Sequence, residues 1–232
     1  MKLKQKPLIA IVPVKKKSRR LKNKNLKKIY NKTLVEITID QLQSIKDFTE
    51  IYVSTNCKKT IQIALKKKCN VIIRPDHLCK DKSKANDVIL HSINHISKKI
   101  KRKNFHLGYF QVTSPLRTIK NIKKCINLYK KFNGVVSVKK IDSEYLKTFL
   151  IKKNKISLIG KKNFLNDNSQ SLPKLFTTNG AIYIFNSIDF LKKRKIPILK
   201  MYPYIMNHQS SIDINTNADF EIAKRNYAKF YS

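Results

Sequence analysis

Leu8-Ile9-Ala10-Ile11-Val12-Pro13-Val14, followed by Lys15-Lys16-Lys17-Ser18-Arg19-Arg20-Leu21-Lys22-Asn23-Lys24-Asn25-Leu26, decides how the rest of the chain is read. An unbroken apolar run this short, ending in a polar loop, fits a central parallel strand covered on both faces. It falls far below the ~20 apolar residues a bilayer requires. Pro13 interrupts it, and a lysine run stands where the small residues of a leader-cleavage site would be. The segment therefore reads as the first buried strand of an α/β sheet, and the chain as a cytoplasmic protein with no membrane partner.

Working outward, Leu34, Ile37, Leu42 and Ile45 recur at near-helical spacing, which predicts an amphipathic helix over about Thr33 to Lys46. Ile51-Tyr52-Val53 reads as a second strand, Lys58 to Lys68 as a helix, and Val71-Ile72-Ile73 as a third strand ending at Arg74-Pro75. Asp87 to Ile100 predicts a helix, Leu107 to Val112 a strand, and Ile119, Ile122, Ile126, Tyr129 and Phe132 a further helix. Val135 to Val138 and Ala181 to Phe185 read as strands, and Asn217 to Phe230 as a closing helix. Strands alternating with helices of this length imply βαβ units and a largely parallel sheet. The polar stretch 142–175 breaks the rhythm and reads as an excursion, such as a hairpin or a dimerisation lobe. Neither repeats nor a separating linker divide the chain, so residues 1–232 form one domain.

The formal net charge is +37, yet only seven of the 51 basic residues are arginine. Lysine, asparagine and isoleucine, all spelled by AT-rich codons, are abundant together. The excess therefore reflects genome bias as well as selection. Arginine scarcity and the dispersal of the lysines argue against nucleic acid as the principal ligand. The positive field would still attract nucleotides. Cys57, Cys69, Cys79 and Cys125 show no CxxC spacing and read as reduced thiols.

In open sheets of this kind ligands bind beyond the carboxyl ends of the strands, so the polar clusters there carry the functional information. The loop after the first strand can hold phosphates on its backbone N–H groups and cationic side chains. On charge alone, a solvated basic loop is the favoured reading. Gln111, Asn179 and Tyr183 offer amides and a phenol able to hydrogen-bond a polar ligand. A strand-end turn at Thr113-Ser114-Pro115 and a core aromatic at Tyr183 are the plainer readings. Asp213 could cap the closing helix, though Asn215, Thr216 or Asn217 would do so more naturally.

The order of these residues resembles the acylneuraminate cytidylyltransferase family. Pro13, Ser18, Arg20, Lys24 and Asn25 match its P-A-R-G-G-S-K-R-I-P-x-K-N signature, with Lys15, Arg19 and Leu21 as related replacements. Phe110-Gln111-Val112-Thr113-Ser114-Pro115-Leu116-Arg117 resembles L-Q-P-T-S-P-L-R, and Asn179-Gly180-Ala181-Ile182-Tyr183-Ile184 matches N-G-A-I-Y-I. Ser211-Ile212-Asp213-Ile214-Asn215-Thr216 with Asp219-Phe220 is similar to x-I-D-I-D-T-x-x-D-F, and Ile73-Arg74-Pro75 with Leu78, Asp81 and Asp87 resembles the family's R-P segment.

The resemblance implies a Rossmann-like three-layer sandwich of the nucleotide-diphospho-sugar transferase type. It also implies an enzyme that joins CTP to a nine-carbon 2-keto acid (nonulosonic, sialic-acid-like) sugar, releasing pyrophosphate. Lys15, Ser18, Arg19, Lys24, Asn25 and Arg74 would bind the nucleotide, with Lys15, Lys24 and Asp213 as the catalytic set. Gln111, Asn179 and Tyr183 would form the sugar pocket, Asp213 and Asn215 would hold Mg²⁺, and the protein would be a homodimer.

The sequence also departs from the pattern. Lys16 and Lys17 replace paired glycines, Asn215 replaces the second metal carboxylate, and Ser169 stands where the family has an arginine facing the sugar carboxylate. A catalytically impaired homologue binding nucleotides or nucleic acid is one alternative. A cytidylyltransferase for the eight-carbon sugar Kdo, which carries a different segment in place of Thr113 to Arg117, is another.

Overall fold

The computed structural model describes residues 6–16, 20–80 and 82–231. Eleven strands and six α-helices appear among them. The strands are β1 (Leu8–Pro13), β2 (Lys28–Ile29), β3 (Lys32–Thr33), β4 (Phe48–Thr55), β5 (Asn70–Ile73), β6 (His106–Tyr109), β7 (Gly134–Ile141), β8 (Phe149–Lys152), β9 (Lys155–Leu158), β10 (Leu175–Asn186) and β11 (Tyr202–Ile205). The helices are α1 (Leu34–Gln43), α2 (Lys58–Lys66), α3 (Ala85–Lys99), α4 (Ile119–Phe132), α5 (Ser187–Lys193) and α6 (Asn217–Tyr231).

Seven strands form one sheet in the order β11-β7-β10-β6-β1-β4-β5. β1 pairs in parallel with β4 and β6, β4 with β5, and β7 with β11, whereas β10 runs antiparallel to both β6 and β7. β1 sits at the centre with Ile9, Ala10, Ile11 and Val12 inaccessible to solvent, as its apolar run requires. Its side chains alternate between two cores. Leu8, Ala10 and Val12 pack with residues of α1 and α4, and Ile9 and Ile11 pack with Ile89, Ile93 and Ile96 of α3 and Phe190 of α5. The molecule is thus the expected three-layer α/β sandwich.

Helix starts follow from local chemistry. Thr33 and Glu36 close a reciprocal capping box on α1, with Thr33 N–H to Glu36 Oε2 at 2.8 Å and Glu36 N–H to Thr33 Oγ1 at 3.2 Å. Thr118 and Asn121 do the same for α4.

The structure departs from the predicted elements in several places. β11 was not read as a strand, because Pro203 sits within it; at the sheet edge the missing N–H is tolerated. The predicted strand Leu107 to Val112 ends at Tyr109, where the chain turns into the loop carrying Gln111. The predicted strand Ala181 to Phe185 is the second half of the longer β10. Within 142–175, β8 and β9 form a separate two-stranded hairpin, with Phe149, Leu150, Ile151 and Ile156 exposed.

Candidate active site

The parallel strands β1, β4, β5, β6 and β7 all end on one side of the sheet, and antiparallel β10 brings its Thr178 end there. A cleft of about 620 Å³ lies over these ends, lined by Pro13, Lys15, Arg20, Lys24, Asn25, Arg74, Tyr109, Gln111 and Thr113, among others. A second of about 420 Å³ is lined by Lys139, Thr178, Asn179, Gly180, Tyr183, Asp213, Asn215 and Asp219. Both fall in the size range of small-molecule sites.

Lys24 joins the two. Its Nζ donates to the Ile214 carbonyl at 2.6 Å and to Asn215 Oδ1 at 3.4 Å, across 190 positions of sequence. Burial depresses the Lys24 pKa; Asp213 and Asp219 oppose that shift, and Arg20 adds to it. Ile214 N–H donates to the Thr113 carbonyl at 2.8 Å, so the Asp213 segment is stitched to the loop after β6. Tyr109 of the first cleft meets Tyr183 of the second edge to face, with ring centroids 6.3 Å apart.

Around the first cleft, Asn25 Nδ2 donates to the Lys15 carbonyl at 2.9 Å and closes the loop on itself. Arg74, almost fully buried, follows β5 and donates from Nη2 to the Ser54 carbonyl at 2.6 Å and from Nε to Ser54 Oγ at 3.2 Å. Burial lowers its pKa, although nothing near neutrality removes a guanidinium's charge. Ser18 and Arg19, both expected to bind the nucleotide, lie outside the described residues.

β10 builds the second cleft. Thr178 pairs with Val138 of β7, but the next pair is Tyr183 with Val136, so Asn179 to Ile182 bulge out of the ladder. Ser137 anchors the bulge: its hydroxyl donates to Asn179 Oδ1 at 2.6 Å and accepts from Ile182 N–H at 2.8 Å. Asn179 Nδ2 donates to Ser211 Oγ at 3.0 Å. Expected to read the sugar, Asn179 thus has both ends of its amide engaged with the protein and shapes the cleft wall. Gly180 takes φ +75°, and a Cβ there would lie 2.9 Å from Gln111 Oε1, so the bulge and the Gln111 side chain need this glycine.

Asp213 and Asn215 come together as expected. Asn215 Nδ2 donates to Asp213 Oδ2 at 2.7 Å, while Asp213 Oδ1 is buried with no hydrogen-bond partner among the described residues. A buried carboxylate oxygen left open suits a hard cation. Residues in this arrangement fit Mg²⁺ held by one protein carboxylate and one amide oxygen, with phosphate and water oxygens completing the shell. No group of three or more His, Cys, Asp or Glu is placed to hold a metal among the described residues. Asp219 is not part of such a set: its Oδ2 accepts from Asn215 N–H at 2.9 Å and Thr216 N–H at 2.8 Å, capping α6.

Arg117, at the end of the Thr113 to Arg117 motif, has no exposed surface. Its Nη1 donates to the carbonyls of Gln111 at 3.1 Å and Ala181 at 2.8 Å, and its Nε and Nη2 reach Gln41 Oε1 of α1 at 3.2 and 3.1 Å. It pins the Gln111 loop to the β10 bulge and to α1. Sequence reasoning gave it no role.

A family profile for cytidylyltransferases matches residues 9–225, and the chain belongs to that family. It is 28% identical over 218 residues to an N-acylneuraminate cytidylyltransferase of Streptococcus agalactiae serotype III, covering 91% of this chain and 51% of that protein. It is 26% identical over 236 residues to a CMP-N,N'-diacetyllegionaminic acid synthase of Legionella pneumophila, covering 94% and 95%. The chain thus spans about half the length of the N-acylneuraminate relative and nearly all of the legionaminic one. Among solved structures, a CMP:2-keto-3-deoxy-manno-octonic acid synthetase complexed with CTP superposes with a TM-score of 0.70 at 12% identity, covering 96% and 99% of the two chains. That likeness speaks for the fold.

Proposed function

We propose that this chain couples CTP to a nonulosonic sugar, giving the CMP-sugar and pyrophosphate. The observation that carries the reading is the convergence of four remote segments (Lys15 with Arg20 to Asn25, Gln111 to Thr113, Asn179 to Tyr183 and Asp213 to Asn215) on two adjoining clefts bridged by Lys24. The larger, cationic cleft suits a triphosphate on Lys15, Lys24 and Arg74. The smaller suits the sugar, between Tyr183 and the Asn179 bulge and beside Gln111.

The anomeric hydroxyl oxygen forms a bond to the α-phosphorus, the bond from that phosphorus to the bridging oxygen breaks, and pyrophosphate leaves with the electron pair. The hydroxyl proton is lost to solvent. Such a transfer needs positioning and charge neutralisation more than covalent help. Lys24 stands between the clefts, where negative charge on the phosphates would shift toward the leaving group. Mg²⁺ on Asp213 and Asn215 would neutralise phosphate charge when bound. The exposed apolar residues of the β8–β9 hairpin favour contact with a second copy, giving a homodimer. Among the described residues no helix is long and apolar enough to cross a membrane, and the cysteines are free. Both accord with work in the cytoplasm.

Pyrophosphate release measured with CTP, Mg²⁺ and a panel of nine-carbon 2-keto acids, with Kdo alongside, tests the proposal. Turnover with a nine-carbon acid supports it. Release with Kdo alone, or CTP-dependent thermal stabilisation without turnover on any sugar, overturns it in favour of the eight-carbon or the impaired reading.

A further inference from the structure

We propose that Lys139 receives the substrate's carboxylate, so that this one side chain selects an acidic over a neutral sugar and orients the attacking hydroxyl. The inference rests on the nonulosonic reading above. Lys139 lies on β7 opposite Thr177 of β10, two residues from Ser137 and hence on the same face of the strand as the hydroxyl that anchors Asn179. It is half-buried and lines the smaller cleft with Tyr183, Asp213 and Asp219. It is the only cationic side chain among the described residues lining that cleft.

No hydrogen bond or ion pair engages its ammonium among the described residues. The nearby charges have other duties. Lys24 is held by Ile214 and Asn215 on the nucleotide side, and Asp219 caps α6.

An acidic sugar entering this cleft brings negative charge toward Asp213 and Asp219. Without a counter-charge that approach is repulsive, and a half-buried, unengaged ammonium supplies one. In a cyclised 2-keto acid the carboxylate and the anomeric hydroxyl are attached to the same carbon. A contact that fixes the carboxylate therefore fixes the nucleophile relative to Asp213 and the phosphates.

The test uses the full chain with saturating CTP and Mg²⁺, and the nine-carbon acid that supports pyrophosphate release. The same sugar with its carboxylate reduced to a hydroxymethyl group serves as the neutral probe. Lys139→Met should raise KM for the acid by about 10- to 100-fold, the loss expected for one charge-assisted hydrogen bond. KM for CTP should stay within about twofold, and the preference for acid over alcohol should vanish. Lys139→Arg should retain that preference. CTP-dependent thermal stabilisation reports that each variant is folded, and Lys139→Gln is read in the same way should the Met variant fail to fold. An unchanged KM for the acid, or an equal rise for acid and alcohol, overturns the role of Lys139 and leaves the cytidylyltransferase reading standing. A wild-type chain inert with every acidic sugar overturns both.

Discussion

Asn215→Asp probes the junction of the two clefts most sharply. Asn215 now donates from Nδ2 to Asp213 Oδ2 at 2.7 Å. The substitution turns that hydrogen bond into contact between two carboxylates. Charges about 4 Å apart at an effective dielectric of about 20 repel by about 4 kcal/mol. Lys24, whose Nζ is 3.4 Å from the oxygen retained at this position, offsets part of this, leaving a net cost of about 2 kcal/mol without metal. For a chain of this size that lowers Tm by about 4–8 °C in EDTA. Mg²⁺ should reverse the loss, because a site with two carboxylates binds it more tightly. At a free concentration of about 100 times Kd, binding returns about 2.7 kcal/mol. Differential scanning fluorimetry of both proteins, with EDTA and with a Mg²⁺ series, reads both effects, and turnover should rise at limiting Mg²⁺. Equal Tm values in EDTA and equal Mg²⁺ shifts would refute the placing of the metal on this pair.

Arg117→Met should cost about 3–5 kcal/mol in urea denaturation, because it removes the buried guanidinium that bonds the carbonyls of Gln111 and Ala181 and Gln41 Oε1; a loss under about 1 kcal/mol would show that these acceptors are satisfied by other partners. His106 is pressed down to about 4 by burial, with Lys6 adding to the shift, and its Nδ1 lies 2.6 Å from the Tyr129 hydroxyl. An unfolded histidine titrates near 6.5, so the unfolded chain takes up the proton first; this contribution to stability is complete above about pH 6.5 and is lost as pH falls toward 4. His106→Gln should therefore flatten stability against pH across that window, and an unchanged slope would count against the buried neutral imidazole.

Much of the architecture was legible because parallel strands in a three-layer sandwich must be apolar on both faces, and Leu8 to Val14 is. Helix periodicity located α1, α4 and α6 to within a few residues. The direction of β10 was not legible, since alternation carries no information on which way a strand runs. β11 was hidden by Pro203, and α5 is too short to show a period. For the site, the order of the polar clusters brought Lys24, Gln111, Asn179 and Asp213 together correctly. Sequence could not tell that the Asn179 amide is consumed inside the protein, because an asparagine beside a glycine reads alike whether it faces ligand or wall. Nor did it distinguish Lys139, one lysine among many in a lysine-rich chain, whose position matters only through the register of β7.

Between Thr178 and Tyr183 the chain of β10 takes five steps while β7 takes two, from Val138 to Val136. Strict alternation over five steps would put Thr178 and Tyr183 on opposite faces, yet their partners Val138 and Val136 share one; the irregular backbone of the bulge, with Gly180 at φ +75°, absorbs the odd step. Beyond it the pairing with β6 and β7 is regular, and Tyr183 and Phe185 face one core while Ile182 and Ile184 face the other. A change of length in this short stretch can therefore reshape the wall of the smaller cleft while the strand beyond it keeps its two faces.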